Sequence, residues 1–176
     1  MNIRQIAMTM VGCCMALGAV TPAGAVTSTM QQVQSEHPFL YKGLYPSWSA
    51  MTPEQGLIDA RYALAEARRQ VEELCNITPE QANYDNVFGA YEQLNADVDQ
   101  IGSFLYHMSA VVDNPALRKT QEALIPEMTA FSSELIGNEK LWQVIKTAAA
   151  QPWVQELSPV KQRFISETLA DFRESG

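Results

Sequence analysis

Apolar residues recur three and four positions apart through most of this chain, and the longest unbroken series runs through its centre. Val87, Tyr91, Leu94, Val98, Ile101, Leu105, Met108 and Val112 alternate steps of four and three, which puts them on one face of an α-helix. The spacing predicts a helix over 85–112, about 42 Å long at ~1.5 Å per residue. A second stripe, Leu57, Ala60, Leu64, Ala67, Val71 and Leu74, predicts a helix over 52–75. Its start is marked by Thr52-Pro53-Glu54-Gln55: Thr caps, Pro occupies the first turn where no N–H is needed, and Gln55 completes a capping box. A third helix is expected over 115–136, opening at Asn114-Pro115, with Leu117, Leu124, Met128, Phe131 and Leu135 inward. Pro126 lies inside it and should kink it by removing one ladder bond. Gly137-Asn138 stops that helix and caps a shorter one over 138–150 carrying Leu141, Trp142 and Ile145. Ser158-Pro159 opens a fifth over 158–173, with Phe164, Ile165, Leu169 and Phe172 facing inward. Short connections between such stripes imply antiparallel neighbours. The expected fold class is all-α, a bundle or set of hairpins of about five helices.

Upstream of residue 52 the period vanishes. Residues 26–51 hold Pro38, Gly43 and Pro46 with Phe39, Tyr41, Tyr45 and Trp48 between them, which reads as an extended arm whose aromatics pack onto the helical body. Residues 1–25 have a different character. Arg4 precedes the mostly apolar run Ile6–Val20, and Ala23-Gly24-Ala25 closes it with small residues, the pattern of a secretory signal peptide cut after Ala25. The run is too short for a membrane span, which needs ~20 residues. A lipoprotein signal at Gly12-Cys13 is the rival reading, with about seven apolar residues before the cysteine. The expected location is therefore the periplasm or the cell exterior, and the expected helical domain is 52–176.

Charge and cysteine content narrow the function classes. The formal charge is −8 for the whole chain and −9 once Arg4 leaves with the signal. Acids in such excess argue against nucleic acid and anionic lipid as partners, because both require a basic face. Cleavage also removes Cys13 and Cys14, so Cys75 has no intramolecular disulfide partner. Its place on an apolar stripe favours a buried, inert thiol over a reactive one.

Catalytic patterns are missing. The two histidines, His37 and His107, are seventy positions apart, and no H-E-x-x-H sets two ligands one helical turn apart. His107 reads better as a packed or edge histidine than as a ligand. There is no G-x-S-x-G, no haem-attachment C-x-x-C-H and no phosphate-cradling glycine loop. The pairs Glu72-Glu73 and Asp97/Asp99 fall on polar helix faces, where solvation suffices. No catalytic, cofactor-binding or metal-ligating residue is nominated, and the residues alone describe a protein that is not an enzyme.

Several short motifs, in order, carry a resemblance. Tyr84-Asp85-Asn86, Tyr106-His107-Met108-Ser109, Asn114-Pro115-Ala116-Leu117-Arg118, Pro126, Phe131-Ser132 and Asn138-Glu139-Lys140-Leu141-Trp142 resemble the N-terminal region of the thimet oligopeptidase and oligopeptidase A family of zinc metallopeptidases. "YPSWSAMTPEQ" and "LSPVKQRFISETLADFRESG" resemble its flanking stretches, so the similarity spans roughly 38–176. Gln55, Tyr84 and Ala116 depart from the usual His, Trp and Glu. The resemblance implies a helical domain that helps wall a narrow channel for short unstructured peptides. It also implies zinc in a separate catalytic domain bearing H-E-x-x-H, for which this sequence has no counterpart, so no site residue carries over. The expectation is an exported stand-alone or truncated oligopeptidase A-like N-terminal domain, non-catalytic by itself, binding short peptides or a partner. The alternative is part of a metalloendopeptidase whose catalytic portion is separately encoded or lost.

Overall fold

The computed structural model describes residues 36–112 and 114–175; the signal segment expected over 1–25 lies outside them. Among the described residues five α-helices follow one another: α1 (Pro53–Leu74), α2 (Ala90–Val111), α3 (Pro115–Ile136), α4 (Glu139–Ala149) and α5 (Pro159–Ser175). No strand occurs among the described residues. The all-α expectation is correct, with five helices close to the expected bounds. No helix among the described residues is long and apolar enough to cross a membrane.

The starts of these helices follow from their capping residues. Thr52 Oγ1 accepts from the Gln55 amide at 3.2 Å, and Asn114 Oδ1 accepts from the Ala116 amide at 2.8 Å. Asn138 Oδ1 accepts from the Leu141 amide at 3.1 Å, satisfying one donor that the first turn would otherwise leave open. The capping box expected at α1 is only half formed. Gln55 turns its amide group away from Thr52 and donates to the Glu36 carbonyl and to Asp59 instead. A reciprocal pair appears where none was anticipated: the Asn83 amide donates to Asn86 Oδ1 at 2.8 Å, and the Asn86 amide to Asn83 Oδ1 at 3.0 Å.

That pair opens a wide π-helical turn, Asp85–Gly89, ahead of α2. The regular helix expected from residue 85 therefore begins at Ala90. In the wide turn the adjacent Val87 and Phe88 are both fully buried. Pro126 does not end α3, which runs unbroken past it. Pro126 and Glu122, whose carbonyl loses its ladder partner, are both exposed, so water can serve the freed acceptor.

Side-chain pairs fix the directions. Arg61 meets Glu127 and Arg68 meets Glu134, each at 2.8 Å, so α1 and α3 run parallel. Ser109 bonds Gln121 and Gly102 lies beneath Met128, so α2 runs opposite to α3. Gly56 lies against Leu105, which sets α2 antiparallel to α1 as well. The larger core gathers Leu64, Val71, Phe88, Leu94, Phe131, Ile145 and Phe172 from all five helices and the π turn. A smaller core, at the end where α1 begins, joins Ala60, Ala63, Ile101, Leu105 and Leu124 to Phe39 and Met51 from the preceding segment.

One modest prediction arises from the caps. Asn138 Oδ1 serves the Leu141 amide and also lies 3.8 Å from the Cys75 Sγ. Asn138→Ala is expected to cost about 1 kcal/mol, read as a lowered urea midpoint with an unchanged slope.

Candidate functional site

The most concentrated polar chemistry lies where residues 36–51 meet α1. Asp59 is fully buried on the inward face of α1. Its Oδ1 accepts from His37 Nδ1 at 2.8 Å and from Gln55 Nε2 at 2.6 Å, and its Oδ2 accepts from the Phe39 amide at 2.9 Å. Every partner is a donor, so the carboxylate is satisfied in the only way a buried charge tolerates. The His37 ring also stacks on Tyr62, with centroids 4.2 Å apart. His37 is thereby committed to a structural node rather than standing free in a loose arm.

Beyond Phe39 the segment crosses to α2. Gln100 Nε2 donates to the Tyr41 carbonyl at 2.6 Å, and Lys42 Nζ lies 2.7 Å from Asp97. Leu44 and Tyr45 then project into solvent. Trp48 returns to the body, edge-on against Phe104 and 5.5 Å from the His107 ring. Of the four aromatics expected to pack, Phe39 is buried, Tyr41 and Trp48 are partly covered, and Tyr45 is not covered.

Between this segment and the α1/α2 seam is a half-open cleft of about 320 Å³. Leu40 and Lys42 form one side, Tyr62 to Gln70 of α1 a second, and Leu94, Asp97 and Gln100 of α2 a third. Gln70 also borders a shallower groove of about 630 Å³ that continues along the same seam past Leu74 and Ala90. Glu66 receives Arg69 Nε at 2.9 Å, and that hydrogen bond holds its carboxyl below the usual range. Arg69 also pairs with Glu73.

The remaining chemistry-bearing residues are dispersed. Cys75 is partly buried at the end of α1, where desolvation pushes its thiol up and keeps it protonated at neutral pH. Glu127 and Glu134 are lowered by their arginine partners, but both pairs are exposed and contribute little. Among the described residues no three His, Cys, Asp or Glu side chains are grouped so as to hold a metal ion. His37 is hydrogen-bonded to Asp59, whereas His107 is exposed on α2 with its ring 5.5 Å from that of Trp48. The donor set therefore does not fit a catalytic zinc, which needs three protein ligands and an open position.

A comparison with family profiles decides the affiliation: the neurolysin/thimet oligopeptidase N-terminal domain matches residues 60–176. This chain belongs to that family. No curated protein gives a significant match. The oligopeptidase-type match opens at Ala60, one residue past Asp59, so the buried carboxylate and the segment it anchors precede it. Within the matched part lie α2 to α5 and most of α1, including Glu66, Asp97 and the cleft floor.

Asp59 and the cleft were the features that sequence reasoning missed. The signal for Asp59 was present: an acid on the inward face of α1, between Gly56 and Ala60, with an amide donor four residues earlier. A charge in that position demands partners. Their identity depended on an aperiodic segment, which periodicity does not address.

Proposed function

We propose that this protein is an exported, non-catalytic helical domain of oligopeptidase type that acts by binding a peptide or a partner chain. The observation that supports this reading is the family match over residues 60–176, which is to the N-terminal domain of that family. Export rests on the signal-like segment ending at Ala25. The absence of turnover by these residues rests on their chemistry, since His37 is hydrogen-bonded to Asp59 and no three ligating side chains are grouped among the described residues. A metal-activated water needs ligands fixed together beside a base, and the ordering that a helical turn normally supplies would fall wholly on the metal here.

The test is metal analysis of the dialysed protein together with a fluorogenic short-peptide assay, with and without added zinc. The expected result is no stoichiometric zinc and no turnover. Chelator-sensitive cleavage with bound zinc would overturn the proposal. Turnover that appears only on adding a co-expressed chain bearing H-E-x-x-H assigns this domain to a split metalloendopeptidase.

A further inference from the structure

We infer that the cleft between Leu40–Lys42, α1 and α2 is a binding site for a primary alkylammonium group on a short apolar stem. Its floor is apolar and immobile, because Ala63, Ala67 and Leu94 are buried core residues of the two helices. Its rim carries one carboxylate from each helix, Glu66 and Asp97. A cavity of about 320 Å³ is at the small end of ligand sites, large enough for a four- or five-carbon chain with its charged head. An apolar body with one charged end is what such a lining selects.

The chain itself shows the mode. Lys42 Nζ lies 2.7 Å from Asp97, and Lys42 lines the cleft together with Leu40. This resident ammonium is held weakly: the Lys42 side chain is 48 % exposed, and exposed pairs of this kind contribute little net stability. Lys42 can turn out to solvent without orphaning anything but Asp97, which a ligand ammonium then takes over. Asp97 is meanwhile kept in place by Gln93 Nε2 at 2.7 Å. On the other wall Glu66 is fixed by Arg69 and Gln70, so it adds a second negative rim position that does not need to move. Charge therefore decides entry. A neutral isostere would displace Lys42 and leave Asp97 without a cation, and an anion would face the Asp97 carboxylate with Glu66 already paired to Arg69.

Two sources can supply this chemistry, a free amine or the lysine side chain of a peptide, and probes separate them. The experiment is an amide-resolved NMR titration of the purified protein with N-acetyl-lysine amide, n-butylamine and N-acetyl-norleucine amide. The expected result is saturable shifts at Ala63, Ala67 and Leu94 with both amines and none with the norleucine compound. Tighter binding of the lysine amide points to a peptide source, and equal binding to a free amine. Two variants give opposite signs. Lys42→Met removes the internal competitor and should tighten binding about three- to fivefold, while Asp97→Asn should weaken it by at least that factor. Equal shifts with norleucine, no saturation with either amine, or the same direction of change in both variants would overturn the assignment. Neither variant touches a core residue, and circular dichroism verifies the fold of each.

Discussion

Leu105→Ala is expected to lower the free energy of unfolding by about 2–5 kcal/mol, the range for a leucine truncated in a closed core. Leu105 is 2 % exposed and belongs to the smaller core with Phe39, Ile101 and Leu124. Its Cδ2 also comes within 2.7 Å of where a Cβ on Gly56 would stand, so α1 approaches it as closely as a helix can. The backbone there belongs to three packed helices, which limits how far the site can collapse onto the space left behind. Urea unfolding monitored by circular dichroism reads the effect directly. A change within ~0.5 kcal/mol, typical of a surface position, would contradict this placement of the α2 face.

Helix faces were legible because they are local. The steps from Leu94 through Val98 and Ile101 to Leu105 need no knowledge of a partner, and all four residues are buried. The same stripe frays at both ends for physical reasons. Val112 is 44 % exposed just past the end of α2, where the backbone has turned extended. At the other end, Val87 holds its phase through a π turn that a four-three alternation cannot distinguish from regular helix. Thr52, Asn114 and Asn138 were readable as caps since each bonds an amide within three residues of itself.

What the sequence hides is the docking of residues 36–51. Phe39 is twenty positions from Asp59 and Gln100 is fifty-nine from Tyr41; these contacts are set by where three helices leave room, not by any period. Gln55 illustrates the difference. Its position three residues after Thr52 fits a capping box, yet its side chain donates to the buried Asp59 carboxylate, a charge-assisted bond, while the Thr52 amide that a capping box would use donates to the Ala50 carbonyl. The cleft escaped notice for the same reason. Glu66 and Asp97 look like solvated helix positions until Leu40 and Lys42 are laid across the seam between them.

The largest effect is expected at Asp59. Asp59→Ala should lower stability by about 3–5 kcal/mol, as removing one member of a buried, hydrogen-bonded pair does. The carboxylate accepts from His37, Gln55 and the Phe39 amide. Truncation leaves three donors facing an apolar gap, and each orphaned buried donor costs about 1–3 kcal/mol. Gln55 and His37 stand near the surface and can turn toward water, which moderates their share. The Phe39 amide cannot, because Phe39 is fully buried between the helices. Asp59→Asn should be milder than alanine but still destabilising, since its amide group would present a donor to neighbours that are all donors. His37→Ala should cost less than either, because Gln55 and the Phe39 amide keep their acceptor. Tryptic cleavage after Lys42 supplies a second readout specific to this segment. It should accelerate at least tenfold in Asp59→Ala under conditions where α1 to α5 remain folded by circular dichroism. Unchanged cleavage, together with an urea midpoint within error of the parent, would show that the segment is held by Phe39 and Lys42 and not by the buried carboxylate.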